Sequence, residues 1–260
     1  QFHHLVRTVP SDGLLVVNAQ EPALERVITR GAWAPAERFG LDASNEWSLV
    51  SQEADGFMVR KTGKDVATVI WATDSGVMGR HNQLNALAAI AAANHIGISP
   101  ADSARALAKF KNVKRRLETI GVANDITIYD DFAHHPTAIT TTVDGLRRRV
   151  GKSRILAVLE PRSNTMKLGT MKAQLPDSLR QADKVFAYGA SSGKESLGWN
   201  LGEVLAPLNT DGEVKAQAFD DLNSLVLAVA KEAKPGDHIL VMSNGGFGGV
   251  HQRLLKTIAS

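Results

Sequence analysis

The chain of 260 residues contains 43% hydrophobic and 22% charged residues, with a formal net charge of +3 at pH 7, which is typical of one large or two ordinary soluble domains. It has no cysteine, which excludes disulfides, zinc–thiolate sites and thiol catalysis. No apolar run approaches the roughly 20 residues that span a bilayer, and no signal peptide opens the sequence, so we expect a cytoplasmic protein without a membrane partner. Basic residues cluster at 146–154, but no aromatic residues are interleaved to stack on bases, so we expect no nucleic-acid partner.

The first part of the chain predicts a mixture of strands and helices. From Asn82 the sequence is rich in alanine and predicts a long helix, which GISP at 97–100 ends. A second helix is expected at 101–110, with Asp102 and Ser103 as cap or first-turn residues. Weaker signals predict strands at 14–18, 56–60 and 66–72 and a helix at 21–29.

A change of pattern near residue 112 predicts a domain boundary. The segment 111–125, KNVKRRLETIGVAND, is polar and rich in turn-forming residues, so we divide the chain into domains 1–112 and 113–260. Beyond the boundary, apolar strands alternate with helices, which predicts an α/β domain whose parallel sheet is covered on both faces. The predicted strands are 126–130, 154–160, 184–188 and 238–243, and the predicted helices are 136–149, 171–181, 201–207, 220–232 and 247–258.

Three polar stretches follow predicted strands of the second domain. They are DDFAHHP at 130–136, EPRSNTMK at 160–167 and SNGGFGG at 243–249. Ligands of parallel sheets bind at the carboxyl ends of the strands. We therefore expect the three stretches to converge on one binding site.

The stretch DDFAHHP combines two carboxylates with two imidazoles. These groups are ordinary metal ligands, but His134 and His135 are adjacent and are expected to diverge. Pro136 is a typical first residue of a helix. Three interpretations remain open: a strand end followed by a helix start, nucleotide or substrate binding, and a metal site.

Two further groups of polar residues could bind a nucleotide. Asn82 and Asn85 lie one turn apart near a helix start, where both carboxamides can face one ligand; carboxamides pair well with adenine, although helix capping is an alternative. Lys114, Arg115 and Arg116 could bind phosphate or could form an ordinary charged surface.

Two loops of the second domain could bind an anion. Arg162, Ser163 and Asn164 follow a buried strand and could hold a carboxylate. The glycine-rich turn at 243–249 could present backbone N–H groups, although it does not fit G-x-G-x-x-G. No P-loop pattern occurs in the chain, and SSGKES at 191–196 is interpreted as a loop.

Four motifs, in this order, resemble those of the Mur ligase family: GRHNQLNALAA, KRRLE, DDFAHHPTAI and the glycine-rich turn in HILVMSNGGFGGVHQ. The family has an N-terminal domain for the UDP-sugar, a central ATPase domain and a C-terminal Rossmann-like domain. The resemblance implies that residues 1–112 are the C-terminal part of the central ATP-binding domain. Residues 113–260 would be the Rossmann-like domain that binds the peptide substrate.

The resemblance also implies an activity. The enzyme would be an ATP-dependent ligase of peptidoglycan recycling that joins the tripeptide L-Ala-γ-D-Glu-meso-diaminopimelate to UDP-N-acetylmuramate through an acyl phosphate. ATP and Mg²⁺ would be required, and we expect a monomer. The alternatives are an alanine-adding ligase, another member such as folylpolyglutamate synthase, a non-catalytic nucleotide- or peptide-binding module, and a metalloenzyme that uses both histidines.

Roles for single residues follow from the resemblance, and no metal ligand is among them. Asp130 and His135 are expected to be ordinary strand-end and helix-start residues. The implied roles are adenine contact for Asn82 and Asn85, catalysis and ATP phosphate binding for Arg116, ribose binding for Asp131, nucleotide contact for Phe132, catalysis and amine binding for His134, and the peptide pocket for Arg162, Ser163, Asn164, Ser243 and Asn244.

The sequence departs from the family pattern at its start. QFHHLVRTVP at 1–10 resembles the end of an amphipathic helix and does not begin with methionine, so we expect a fragment. The family's P-loop, magnesium-binding acidic residues and UDP-sugar domain would precede it. We therefore expect no ligase activity from these 260 residues alone.

Overall fold

The computed structural model describes residues 1–53, 56–72, 77, 79–190, 196–210 and 212–260. The chain divides into two compact units, Gln1–Asn112 and Val113–Ser260. The loop predicted at 191–196 lies outside the described residues except for Ser196. In the described part of the chain, no helix is both long enough and apolar enough to cross a membrane.

The first unit combines short strands with two longer helices near its C-terminal end. Its elements, in chain order, are α1 (Phe2–Val6), β1 (Leu15–Asn18), α2 (Pro22–Thr29), β2 (Ala36–Gly40), β3 (Trp47–Glu53), β4 (Gly56–Lys61), β5 (Lys64–Ile70), α3 (Gly79–His95) and α4 (Pro100–Leu107).

The five strands of this unit form one mixed sheet in the order β1-β2-β3-β4-β5. The first three strands are parallel, and β4 and β5 continue the sheet antiparallel. Helix α3 supplies Leu87 and Ile90 to a core that also contains Trp47 and Phe57. These four side chains are at most 1% exposed, so the unit has a hydrophobic core of its own.

Several predictions for the first unit are confirmed within one or two residues, including β1, α2 and β4. Strands β2 and β3 were not predicted, because polar residues interrupt their apolar pattern. Asp102 lies in the first turn of α4, as one of the two expected alternatives had it, and the cap is Ser99, whose side chain accepts a hydrogen bond from the Asp102 backbone N–H at 3.1 Å.

The second unit alternates strands and helices. Its elements are β6 (Glu118–Ala123), β7 (Ile126–Asp131), α5 (Pro136–Val150), β8 (Ile155–Leu159), α6 (Asn164–Lys167), α7 (Leu175–Ser178), β9 (Lys184–Tyr188), α8 (Leu201–Leu205), β10 (Ala216–Phe219), α9 (Leu222–Glu232), β11 (His238–Met242) and α10 (Val250–Ala259), with short 3₁₀ turns at Lys172–Gln174, Ala206–Leu208 and Phe247–Gly249.

The six strands of this unit form a sheet in the order β10-β9-β8-β11-β7-β6, parallel except for the edge strand β6. Alternate strand residues such as Ile128, Val158 and Val241 form one buried cluster with Leu225 of α9 and Leu254 of α10. Helix α5 packs on β11 from the other side, because the intervening strand residues face the opposite way. The predicted α/β fold with a sheet covered on both faces is confirmed.

Three expectations for the second unit are corrected. The segment 111–125, predicted to be turn-rich, contains strand β6, whose partly exposed position at the sheet edge tolerates polar residues. Strand β10, also at an edge, was missed. The single helix expected at 171–181 is a 3₁₀ turn followed by α7, because Pro176 has no N–H and belongs in the first turn of a helix.

Candidate functional site

Three loops meet at the carboxyl edge of the second sheet. Met242 of the central strand β11 lies opposite both Asp131 and Leu159 in the strand register. The Ser243 N–H donates to the Asp131 carbonyl at 3.1 Å, and the Glu160 N–H donates to the Met242 carbonyl at 3.0 Å. The loops after β7, β8 and β11 therefore start side by side, and their predicted convergence is confirmed.

Asp131 is tied into the protein by its own side chain. Its carboxylate accepts hydrogen bonds from the backbone N–H groups of Leu117 at 2.9 Å and Ala133 at 2.8 Å and from the Thr142 hydroxyl at 3.1 Å. Burial raises the pKa of Asp131, although these donors act to lower it. A carboxylate has about four lone-pair positions, so one remains for a ligand hydroxyl, but the residue is only 2% exposed. The ribose role remains a prediction, and a ribose could reach this group only if neighbouring atoms moved.

Phe132 presents an aromatic ring beside two cations. The ring is 37% exposed, and the guanidinium carbons of Arg115 and Arg116 lie 5.1 and 6.0 Å from its centroid. The His134 ring meets it edge-on at 5.4 Å, and His134 Nδ1 lies 2.8 Å from the Phe132 carbonyl oxygen. The structure thus brings Arg116 of the KRRLE motif close to Phe132, which His134 of the same DDFAHHP motif also contacts.

The two adjacent histidines pack with the edge of one ring against the face of the other. Their rings lie 5.3 Å apart at 90° to each other. Burial and then the neighbouring His134 lower the pKa of His135. Within the ranges that the structure describes, no group of three or more His, Asp or Glu side chains could hold a metal ion.

Arg115 and Asp130 form an ion pair that the sequence did not reveal. Arg115 Nε donates to Asp130 Oδ2 at 3.1 Å, and Arg115 Nη2 donates to the carbonyl oxygens of Ser243 at 2.5 Å and Gly245 at 2.9 Å. On the other side, His251 Nε2 lies 3.1 Å from Asp130 Oδ1. Burial acts to raise the pKa of Asp130, but His251 and Arg115 together outweigh it and lower that pKa below its ordinary value.

A second missed residue is Glu160, which is buried at the end of β8. The Ser243 hydroxyl donates to Glu160 Oε2 at 2.5 Å and accepts from the Gly245 N–H at 3.0 Å. An added Cβ at Gly245 would lie 2.2 Å from Arg162 Nη1, so glycine is required for the close approach of this guanidinium. Asn244 Oδ1 is buried and has no hydrogen-bond partner among the described residues. Arg162, Ser243 and Asn244, predicted to line one pocket, therefore belong to one cluster.

The remaining predicted residues lie on short or separate elements. The Ser163 hydroxyl accepts from the Met166 N–H at 3.3 Å and caps α6, of which Asn164 is the first residue. Asn82 and Asn85 lie in the first two turns of α3 in the first unit, three positions apart, with Asn85 exposed. Their predicted adenine contact remains a prediction.

The family of the chain follows from comparison with known domains. A family model for the Mur ligase glutamate ligase domain matches residues 115–245, about half of the chain, and the Mur ligase middle domain matches residues 1–93. The chain belongs to the Mur ligase family. The fold is that of this family, as the sequence motifs had indicated.

Individual relatives refine this placement. Over 264 aligned residues the chain is 44% identical to the UDP-N-acetylmuramate–L-alanyl-γ-D-glutamyl-meso-2,6-diaminoheptandioate ligase of Escherichia coli (strain K12), covering 100% of this chain and 54% of that protein. A crystal structure of a murein peptide ligase from Psychrobacter arcticus matches with a TM-score of 0.75 and 40% identity, over 100% of this chain and 54% of that one. Identity to a UDP-N-acetylmuramate–L-alanine ligase of Caldicellulosiruptor bescii is 26% over 249 residues, 94% of this chain and 53% of that protein. The chain spans about half the length of these relatives.

Proposed function

We propose that this chain supplies nucleotide-binding and peptide-binding parts of an ATP-dependent ligase that joins L-Ala-γ-D-Glu-meso-diaminopimelate to UDP-N-acetylmuramate. The observation that carries this proposal is the 44% identity along the whole chain to a ligase named for that reaction. Identity to the alanine-adding ligase is only 26%. The tripeptide is therefore the preferred candidate for the incoming amine, with L-alanine as the alternative.

The proposed reaction has two steps and uses ATP as a substrate. ATP phosphorylates the muramoyl carboxylate to an acyl phosphate, and the free α-amine of the tripeptide then displaces phosphate to form the amide. Negative charge on the transferred phosphoryl group requires cations, so we propose a need for Mg²⁺. Because the described residues contain no cluster that could hold a metal ion, we assign no Mg²⁺ ligand to them.

The surroundings of Phe132 fit a nucleotide. The exposed ring offers a surface for the nucleoside, and the Arg116 guanidinium 6.0 Å away can bind phosphate through its fork of donors. Asp131 has an acceptor position left for a ribose hydroxyl, which could reach it if neighbouring atoms moved. In the first unit, the carboxamides of Asn82 and Asn85 are suited to pairing with adenine.

The cluster around Ser243 fits the peptide. The tripeptide carries several carboxylates, and the Arg162 guanidinium beside Gly245 can bind one of them in a bidentate manner. Ser243, Asn244 and the loop residues Ser163 and Asn164 would complete the pocket. His134, held by its contact with the Phe132 carbonyl, would face the incoming amine.

The reaction also suggests where the protein works. ATP and UDP-sugar nucleotides are cytoplasmic metabolites, which supports a cytoplasmic enzyme. We propose that the enzyme acts as a monomer, as expected from the sequence.

A titration of the 260-residue chain tests the proposed peptide pocket. Calorimetry with the tripeptide should give saturable binding, and L-alanine at the same concentrations should give none. Arg162→Gln should weaken tripeptide binding by roughly tenfold or more, because a hydrogen bond to a charged group is worth about 1.5–3 kcal/mol. Arg148→Gln, at an exposed position on α5, is the matched control and should bind like the wild type. Equal binding of L-alanine, or an unchanged affinity in Arg162→Gln, would contradict the proposal.

A further inference from the structure

We infer that Arg115 is a positioning residue for the turn Ser243–Gly245, and that Asp130 and His251 hold Arg115 in place. The functional meaning of this inference rests on the proposed function, because that turn would line the peptide pocket. The roles implied by the family resemblance include none of these three residues, and the sequence indicated for Arg115 only that it could bind phosphate together with Lys114 and Arg116.

The Arg115 side chain holds the turn by its main chain. One terminal nitrogen, Nη2, donates to the carbonyl oxygens of both Ser243 and Gly245, at 2.5 and 2.9 Å. Nε of the same planar group donates to Asp130 at 3.1 Å. A guanidinium can make these bonds together because its donors are fixed in a fork, whereas a lysine ammonium is a single point charge.

The backbone of Arg115 is fixed as firmly as its side chain. Its φ is +60°, in the left-handed region, a conformation that persists in non-glycine residues only where the surroundings enforce it. The Arg115 N–H donates to Glu118 Oε2 at 2.8 Å, and its carbonyl accepts from the Phe132 N–H at 2.9 Å. The guanidinium also covers one side of the Phe132 ring at 5.1 Å. Arg115 thus connects the residue proposed to meet the nucleotide with the turn proposed to meet the peptide.

Asp130 and His251 close the arrangement from the opposite side. The Asp130 side chain is 10% exposed and the His251 side chain 15%, so both lie largely away from solvent. His251 lies in the first turn of α10, which begins a few residues after the turn that Arg115 holds. The segment 243–251 therefore contacts one carboxylate–guanidinium pair near both ends. At its start Arg115 donates hydrogen bonds to Ser243 and Gly245. At its end His251 Nε2 approaches Asp130 Oδ1 to 3.1 Å as an ion-pair contact, without hydrogen-bond geometry.

This arrangement has a consequence that a simple structural ion pair would lack. Replacing the Arg115 guanidinium should loosen the segment 243–251 selectively. Strands such as β8 and β9 are held by their own hydrogen bonds to neighbouring strands and by contacts in the core. An ion pair that served only general stability would, when broken, lower protection throughout the second unit.

Hydrogen–deuterium exchange of the 260-residue chain tests the positioning directly. In Arg115→Lys and Asp130→Asn, exchange at the amides of 243–249 should rise by roughly tenfold or more, while exchange in β8 and β9 stays as in the wild type. His251→Ala should also raise exchange at these amides. His251→Gln keeps a donor near the Nε2 position and should exchange more slowly there than His251→Ala. Arg148→Lys is the control and should change nothing.

Tripeptide affinity provides the functional arm of the same experiment. Arg115→Lys should weaken binding by roughly tenfold while circular dichroism stays unchanged. Exchange at 243–249 that remains within twofold of the wild type in Arg115→Lys, or that rises equally in β8 and β9, would overturn the inference. If the wild-type chain does not bind the tripeptide, the proposed function fails, and the exchange arm still decides whether Arg115 positions the turn.

Discussion

Asp130 and Asp131 are neighbours at the end of β7, yet their environments differ in kind. Asp131 accepts hydrogen bonds from neutral donors, and burial raises its pKa. Asp130 lies between Arg115 and His251, and these groups lower its pKa despite burial. Asp131 therefore stabilises its surroundings through hydrogen bonds from neutral donors, and Asp130 does so through its charged partners.

This difference predicts opposite pH dependences. The pKa of Asp130 in the folded state lies below the ordinary value of 3.8, so its stabilising effect is present above that value and is lost as the pH falls through the folded-state pKa. Asp130→Asn should reduce the free energy of unfolding by about 1–3 kcal/mol near neutral pH, and the gap to the wild type should narrow in acid. Urea unfolding at several pH values measures this gap.

Asp131→Asn is the contrasting variant. Because burial raises the pKa of Asp131, the contribution of this carboxyl to stability is greatest below its ordinary pKa of 3.8 and decreases as the pH rises.

For Asp130→Asn, the difference in free energy of unfolding from the wild type is the decisive quantity. A difference that did not change with pH, or that widened in acid, would contradict the assignment of Asp130 as a charged partner of Arg115.

For single residues, the sequence indicated which side chains could bind a ligand but not which side chains pair with one another. DDFAHHP stood out because four ionisable groups in six residues are unusual, and the family resemblance then implied the roles of Asp131, Phe132 and His134. The pairing of Asp130 with Arg115 and His251 joins three separate segments. The antiparallel pairing of β6 with β7 brings Arg115 to Asp130, and the parallel pairing of β11 with β7 brings the start of α10 there. Glu160 was missed for the same reason, since its partner Ser243 lies on another strand end.

Among the elements, helix α9 allows a sharp test of the core. Leu225 is fully buried in the cluster between α9, α10 and the sheet, whereas Leu227 on the same helix is 62% exposed. Leu225→Ala should lower the free energy of unfolding by about 2–5 kcal/mol, and Leu227→Ala should change it by no more than about 0.5 kcal/mol. Denaturant titration of the two variants measures both values. Similar losses in the two variants would mean that the face of α9 is assigned wrongly.

The central elements were easier to predict than those at the edges. The strands β7, β8, β9 and β11 are apolar runs bounded by polar turns, and their burial requires that pattern. Edge strands β6 and β10 face solvent on part of their surface, so their polar residues resemble those of loops. The single helix predicted at 171–181 does not form, because Pro176 lacks an N–H and cannot lie inside a helix, so α7 begins just before it.

Each of the two compact units has its own sheet and its own hydrophobic core. The family was recognisable from the sequence because four motifs occur in the family's order, and the matches to residues 1–93 and 115–245 agree with it. The choice between tripeptide and L-alanine was not derivable from residue types, since it depends on the shape and charge of a pocket assembled from several loops.

We propose that this chain directs a Mur ligase to the tripeptide. The chain can be joined to the part of the Escherichia coli relative that it does not match, and the rate of ADP release can be measured with UDP-N-acetylmuramate and either amine. We expect ADP release that requires both UDP-N-acetylmuramate and the tripeptide, with L-alanine a poor substitute and the 260-residue chain alone inactive. ADP release that is supported equally well by L-alanine, in a chimera that is active, would contradict it.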